Sequence, residues 1–481
     1  MKITELQPKS LWENFANLCA IPHPSKHEDA IIGHIIEFAN KHSLEHRRDL
    51  TGNLVVCKPA TEGKENSPIV VLQAHVDMVP QKNSDKEFDF TKDPIEAIIE
   101  GDFVTANGTT LGADNGIGVA AMMAILESKE LSHPPLECLF TIDEESGLTG
   151  ANGLSSDIIK GKLLINLDSE DEGELYVGCA GAVNNTVRME YRQKSTPSDH
   201  EAFELHLKGL KGGHSGIQII LQRANANKML NRFIREQAAA LDLKLSSFDG
   251  GNLRNAIPRE AVAVVVVPKE NREKLIEAAA IFQAKMAHEN AAQEDGITLE
   301  VNPTAKPAKI IAPKIQAKII AAITATPNGI IRMSDAMPGM VETSTNMARV
   351  GIADGKLEIL FMSRCMVNYG KIELNAMIRS VWELAKAEVE EVGDYDGWAP
   401  NPQSVLLKVM GETYQEMFGV TPEVKAIHAG LECGIIGAKY EGMDMISVGP
   451  TIRYPHSPDE NVDIASVEKF YNFLSYSLSK L

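Results

Sequence analysis

Three short stretches in the first third of the chain, IVVLQAHV, LECLFTI and GKLLINLD, are apolar without alternation, and a longer apolar run, IGVAAMMAILES, stands between the first two. Short unbroken runs predict strands buried on both faces, and the longer one predicts a buried helix. Their alternation predicts α/β units around a largely parallel sheet. Near Gly181 the pattern changes to VNNTVRMEYRQKSTPSDHEAFELHLKG, whose alternation predicts antiparallel strands with one wet face. A strand followed by a helix then occurs twice, in AVAVVVVPKENREKLIEAAAIFQAKMA and LEILFMSRCMVNYGKIELNAMIRSVWELAKAE, which predicts two similar halves. After VGDYDGWAPNPQS the first style returns with helix LLKVMGETYQEMFG, strand VKAI, helix LECGIIGAKY and strand DMISVG. The simplest account is one discontinuous α/β domain, 1–182 and 396–481, with an α+β domain, 183–395, inserted into it.

Composition narrows the function. The 481 residues carry 47 basic and 66 acidic side chains, a formal charge of -19, with 44% hydrophobic and 23% charged residues. That is ordinary for a globular protein, and the acidic balance disfavours nucleic acid or an anionic membrane as main partner. Small solutes and metal cations fit better. The longest apolar stretch, Ile117 to Leu126, is too short to span a bilayer, and MKITELQPKS has no signal-peptide core. Cys19, Cys57, Cys138, Cys179, Cys365 and Cys433 are scattered singly and read as reduced core residues. The expectation is a cytoplasmic protein.

Five segments place His, Asp or Glu just beyond an apolar run, where an open α/β sheet projects side chains into the crevice at its carboxyl edge. His75 and Asp77, two apart in LQAHVDMV, share a strand face, so the carboxylate can orient the imidazole. Asp114 lies in the glycine-rich TTLGADNGIGVAAMM, where it either serves the site or caps the helix. Asp143, Glu144 and Glu145 end a buried strand, and acids so close repel unless a cation or shared proton compensates. Asp168 opens the run DSEDEGE, and His456 stands in the proline-bounded SVGPTIRYPHSPDE. Each alone could be a capped helix, a solvated turn or a locally satisfied histidine. Together, two histidines and several carboxylates on one sheet edge suit Zn²⁺, Mn²⁺ or Co²⁺ better than Ca²⁺ or Mg²⁺. Two ions are plausible if Asp114 bridges and each ion takes one histidine and one further carboxylate.

HVDMV, GADNGIGVA, DEESGLTGA, NLDSE, GGHSG and PHSPDE form an ordered series that resembles the two-zinc aminoacylase and carboxypeptidase-like metallopeptidases, over essentially the whole length. Within that family the chain resembles the aminoacyl-histidine (Xaa-His, carnosine-hydrolysing) dipeptidases. The resemblance implies that His75 and Asp168 bind one metal and Glu145 and His456 the other. Asp114 and a water or hydroxide would bridge both. It further implies that Asp77 orients His75, that Glu144 is the general base, and that the Asp114–Asn115 bond is cis. Such a base takes a proton from the attacking water and passes it to the departing amine. In the inserted domain, expected to act as a lid, His214 of GGHSG would reach the oxyanion of the tetrahedral intermediate. Asn255, Arg364 and Gly430 would bind the substrate, with Arg364 suited to its terminal carboxylate.

The implied activity is hydrolysis of unblocked dipeptides, preferentially Xaa-His such as carnosine, by a homodimer. The rivals are a related amidohydrolase, either an N-acyl-amino-acid deacylase or a tripeptidase, and a non-enzymatic metal-dependent binding protein on the same scaffold. His428 and Glu432, four apart in HAGLECG, would share a helix face if a helix began that early. His23, His27, His34, His42 and His46 show no strand-edge placement and are expected at the surface.

Overall fold

The computed structural model describes residues 2–481. The chain forms two compact units, one comprising 1–179, 398–426 and 431–481, the other 180–397 and 427–430. The first is built on an eight-stranded sheet in the order Glu45–Arg48, Leu54–Lys58, Leu136–Thr141, Val70–His75, Leu163–Asn166, Asp444–Ser447, Glu174–Cys179 and Glu423–Ile427. Its centre is parallel: Val70–His75 runs with Leu136–Thr141 on one side and Leu163–Asn166 on the other, and Asp444–Ser447 continues the parallel set. Val71, Leu72, Leu139 and Ile165 are fully buried, which is why these strands read as continuous apolar runs. Each such side chain contributes about 1.5–3 kcal/mol of burial.

The helix Ala113–Glu127 buries nearly every residue, so its apolar run has no wet stripe. The Asp114–Asn115 bond at its start is cis. Helices elsewhere begin on conventional caps: Ser404 Oγ accepts the Leu407 N–H at 2.9 Å, and Asp463 Oδ1 accepts that of Ser466 at 2.7 Å. The helix after HAGL starts at Glu432, so His428 precedes it and the two do not share a helix face. All six cysteines are free, five of them buried. Among the described residues no helix is long and apolar enough to cross a membrane.

The second unit holds an antiparallel sheet, ordered Thr298–Pro303, His200–Lys208, Ala261–Pro268, Lys244–Gly250, Val341–Ala353, Lys356–Cys365, Gly181–Glu190 and Glu388–Tyr395, with Gly329–Met333 off this path beside Val341–Ala353. The first four strands with helices Ala226–Ala238 and Arg272–Glu289 make one βαββαβ half; the last four with Pro313–Ala325 and Asn368–Leu384 make another. The halves join through Lys244–Gly250 and Val341–Ala353, where Phe248 faces Ile352. One half is inserted between the first strand and first helix of the other. Where the chain leaves and returns, Gln193–Ser195 pairs with Lys309–Ile311. Phe233, Phe282, Ile319 and Trp382, one from each helix, share one core with the sheet.

Candidate active site

The first unit gathers its site at the carboxyl edge of the parallel strands, the crevice such sheets use for ligands. His75 is the last residue of its strand, Glu144 and Glu145 follow Leu136–Thr141, and Asp168 follows Leu163–Asn166. His456 lies between the short strands Ile452–Arg453 and Asn461–Asp463, with its backbone in the left-handed region at φ 61°. Asp143, at φ 49°, turns the chain into Glu144 in the same way. Non-glycine residues held so tend to cluster where a side chain must be aimed.

Asp114 stands in the middle. Its Oδ1 lies 3.2 Å from His75 Nε2 and its Oδ2 lies 3.3 Å from His456 Nε2. Each imidazole then faces one further carboxylate: Asp168 Oδ1 is 3.2 Å from His75 Nε2, and Glu145 Oε2 is 3.0 Å from His456 Nε2. Asn115 donates its side-chain amide to Asp168 Oδ1. Two triads of one nitrogen and two oxygens thus share Asp114.

Asp77 lies beyond the end of the strand rather than on its face, and its role is broader than the spacing predicts. His75 Nδ1–H donates to the Asp77 backbone carbonyl at 3.0 Å, with the carboxylate 3.4 Å away. That carboxylate accepts the backbone N–H groups of Glu144 (3.0 Å) and Glu145 (3.2 Å) and the Ser25 hydroxyl (2.8 Å). Asp77 therefore holds the His75 ring through its backbone carbonyl and, through its carboxylate, the turn that presents both glutamates. Below lies Glu432, fully buried, whose Oε2 accepts from Gln73 Nε2 and Thr141 Oγ1, both at 2.7 Å. Gln73 in turn accepts from Asn166 at 2.6 Å, so three parallel strands are tied just beneath the ligand-bearing tips.

The electrostatics are those of a cradle with surplus negative charge. Among the described residues no lysine or arginine pairs with Asp77, Asp114, Glu144, Glu145 or Asp168. Burial disfavours a charged His75, yet Asp168, Asp114 and Asp77 outweigh it and hold the ring well above the ordinary histidine range. Asp114 and Glu145 push His456 up to about 11. Burial, with Asp168, Glu145 and Glu432 nearby, pushes the Glu144 carboxyl well above the usual range. Burial likewise raises Glu432, to about 7. Glu145 Oε1 is buried without a hydrogen-bond partner. Cations would relieve every one of these shifts.

The donor set fits. His75, Asp114 and Glu145 offer ligand atoms within 4.8 Å of one another. An ion about 2.1 Å from each donor spaces tetrahedral ligands about 3.4 Å apart, close to the separations above. A second acidic group, Glu28, Asp77 and Asp143, is buried behind the site. Its carboxylates are occupied by local donors, Lys26 and Asp143 amides on Glu28 and the Ser146 and Thr149 hydroxyls on Asp143.

The other candidates lie in the second unit. His214 and Asn255 are brought together by the two-residue pairing of Gly213–His214 with Ala256–Ile257, and Asn255 is exposed. His214 Nδ1 accepts the N–H groups of Gly216 (3.2 Å) and Ile217 (3.1 Å), so its proton sits on Nε2. Burial and Arg364 hold the ring below the usual pKa, leaving a neutral donor. Arg364 is 4% exposed, its Nε has no partner, and no carboxylate pairs with it among the described residues. His428 donates or accepts at Ser344 Oγ (2.8 Å) and is pushed down to about 3 by burial and Arg364. A Cβ on Gly216 would sit 3.0 Å from both Arg364 Nε and His214 Cε1 and 2.3 Å from the His428 carbonyl, so these three residues converge on a space only glycine leaves. Gly430 packs as closely against the Tyr395 hydroxyl.

Two residues escape the sequence reading. His23, expected at the surface, is 5% exposed and donates from Nδ1 to the Ile21 carbonyl, because the PHPSK turn folds inward beneath Asp77. Glu460, in PHSPDE, is 2% exposed and bound to the turn before Asp114.

Residues 71–480 match the model of peptidase family M20/M25/M40. The chain belongs to this family. Over 480 residues it is 45% identical to the cytosol non-specific dipeptidase of Escherichia coli K12, covering 100% of this chain and 99% of that protein. The crystal structure of aminoacylhistidine dipeptidase from Vibrio alginolyticus superposes with a TM-score of 0.97 at 46% identity, covering 100% of this chain and 98% of that one. Aminopeptidase PepT from Bacillus cereus, at 16% identity and a TM-score of 0.58 over 99% of each chain, shares the fold. The mixed α/β fold with a mostly parallel central sheet is thus that of the M20 peptidases, a family of metal-dependent peptide-bond hydrolases.

Proposed function

We propose that this peptidase hydrolyses dipeptides with free termini, Xaa-His substrates such as carnosine among them, using two divalent ions. The observation that carries this reading is the pair of triads sharing one carboxylate. His75, Asp114 and Asp168 would hold one ion, and His456, Asp114 and Glu145 the other. Zn²⁺ suits this mixture of imidazole and carboxylate, with Co²⁺ or Mn²⁺ as substitutes. When bound, such ions polarise the scissile carbonyl and lower the pKa of an attacking water.

The protein's own groups do the rest. Glu144, tied to Asp77 through its backbone only, accepts the water proton and returns it to the departing amine. Glu145, drawn to His456, is committed as a ligand. His214 donates from Nε2 to the developing oxyanion, and a neutral ring does so without giving up its proton. Asn255 and Arg364 bind the substrate's backbone and terminal carboxylate, Gly430 belongs to the loop beside the substrate, and the unit that carries them acts as a lid. The relatives' names favour a dipeptidase over a deacylase, tripeptidase or non-enzymatic role. The same reading carries a cytoplasmic homodimer, whose mass light scattering gives.

Metal-stripped protein is expected to be inactive on carnosine and to recover with Zn²⁺, Co²⁺ or Mn²⁺ at about two ions per chain. Two ions with cleavage of an N-acetyl amino acid instead would move the assignment to a deacylase, and absence of stoichiometric binding would remove the mechanism. For Arg364→Ala, kcat/KM on a free dipeptide is expected to fall about 10²- to 10³-fold, as for a buried charge pair losing one partner. The carboxamide of the same dipeptide should respond weakly. Equal losses on both substrates would detach Arg364 from the carboxylate.

A further inference from the structure

Glu460 has no part in the chemistry above, yet its carboxylate accepts more hydrogen bonds than the carboxylate of Asp114, Glu145 or Asp168. Its Oε2 accepts the backbone N–H groups of Leu111 (2.8 Å) and Gly112 (3.0 Å), and its Oε1 those of Ala113 (2.8 Å) and Asp114 (3.2 Å). Four successive amides converge on one buried carboxylate. They include the first N–H groups of helix Ala113–Glu127, which no side chain of its own N-cap satisfies. The segment has little freedom to relax, since Gly112 sits at φ +73° and a Cβ there would lie 3.1 Å from Met78 Sδ.

The same residue is anchored to the loop of His456. Its backbone N–H donates to the Ser457 carbonyl at 3.0 Å, and its carbonyl accepts the Thr105 hydroxyl at 2.8 Å. The strand that follows, Asn461–Asp463, pairs with Phe103–Ala106, which leads into the Asp114 turn. Glu460 thus joins the two loops that carry His456 and Asp114, two of the three donors of one triad.

We infer that Glu460 is the positioning residue of the bridging carboxylate: by gripping Leu111–Asp114 from the His456 loop, it sets the aim and spacing of Asp114 and His456 for metal. The inference rests on the two-ion reading of the site. A carboxylate is required, because a glutamine offers one acceptor oxygen and turns an NH₂ group onto two N–H donors.

The test counts metal and reads the ligand field. Wild-type protein is first titrated with Co²⁺ against a competing chelator; failure to bind stoichiometrically would sink the two-ion reading itself. If wild type binds, Glu460→Gln is expected to hold Co²⁺ about 10- to 100-fold more weakly, the range for outer-shell partners of metal ligands. Its visible Co²⁺ absorption should change, and excess metal should recover turnover with KM for carnosine unchanged. Glu460→Asp, which keeps both acceptor oxygens on a shorter stem, is expected to fall between the two and is read alone if the glutamine variant does not fold. A variant that melts lower but binds Co²⁺ with wild-type affinity and spectrum would make Glu460 a helix cap only and overturn the assignment.

Discussion

Replacing Glu144 by alanine is expected to lower kcat on a dipeptide by about 10²- to 10⁴-fold, the contribution of a positioned general base, while both metal ions stay bound. Two adjacent glutamates take different places here. Glu145 has one carboxylate oxygen 3.0 Å from His456 Nε2 and belongs to a triad. Glu144 shares the same turn, its backbone N–H fixed by Asp77, but its carboxylate makes no hydrogen bond or ion pair among the described residues. Burial and the surrounding carboxylates raise its pKa, which favours a group that takes up a proton readily and gives it back. A carboxylate bound to metal would be a poorer base. Metal analysis of Glu144→Ala beside its kcat decides the matter: lost metal would place Glu144 among the ligands.

Much of this site is legible in the sequence for one physical reason. Strands of a parallel sheet are buried on both faces, so they appear as unbroken apolar runs, and a polar residue just past such a run has only the carboxyl edge to occupy. His75, Glu144, Glu145 and Asp168 are found by that rule. The fold class follows from the same runs.

What the pattern cannot supply is partnership between distant segments. The pairing of Phe248 with Ile352, which joins the two halves of the second unit, links residues about a hundred positions apart with no local signal. The strand-then-helix repeat reveals two halves, but not that one is inserted between the first strand and first helix of the other. Glu460 reads as one more acid in a polar loop, because its partners are backbone amides nearly 350 residues away. His23 fails for a related reason: a histidine among prolines and lysine looks solvated until the turn is seen to fold under the site. His428 and Glu432 at helical spacing are misleading, since the helix starts only at Glu432.

Asp114→Ala is expected to reduce bound metal from about two ions per chain to less than one and activity to that of metal-stripped protein. The reason is topological. His75 and Asp168 serve one triad, and His456 and Glu145 the other, so His456→Ala or Asp168→Ala removes a donor from a single triad and should leave one ion in place. Asp114 is the one side chain both triads use, with one oxygen on each histidine. Its loss leaves each triad with a single nitrogen and a single carboxylate, too few for a site that must also leave room for water and substrate. The effect on affinity should exceed the roughly 10- to 100-fold cost of losing an outer-shell partner. Calorimetric titration of Zn²⁺ into the three variants reads the difference directly. If Asp114→Ala kept one tight ion, as the other two should, the carboxylate would belong to one metal, and the shared-ligand geometry on which the reading rests would have to be abandoned.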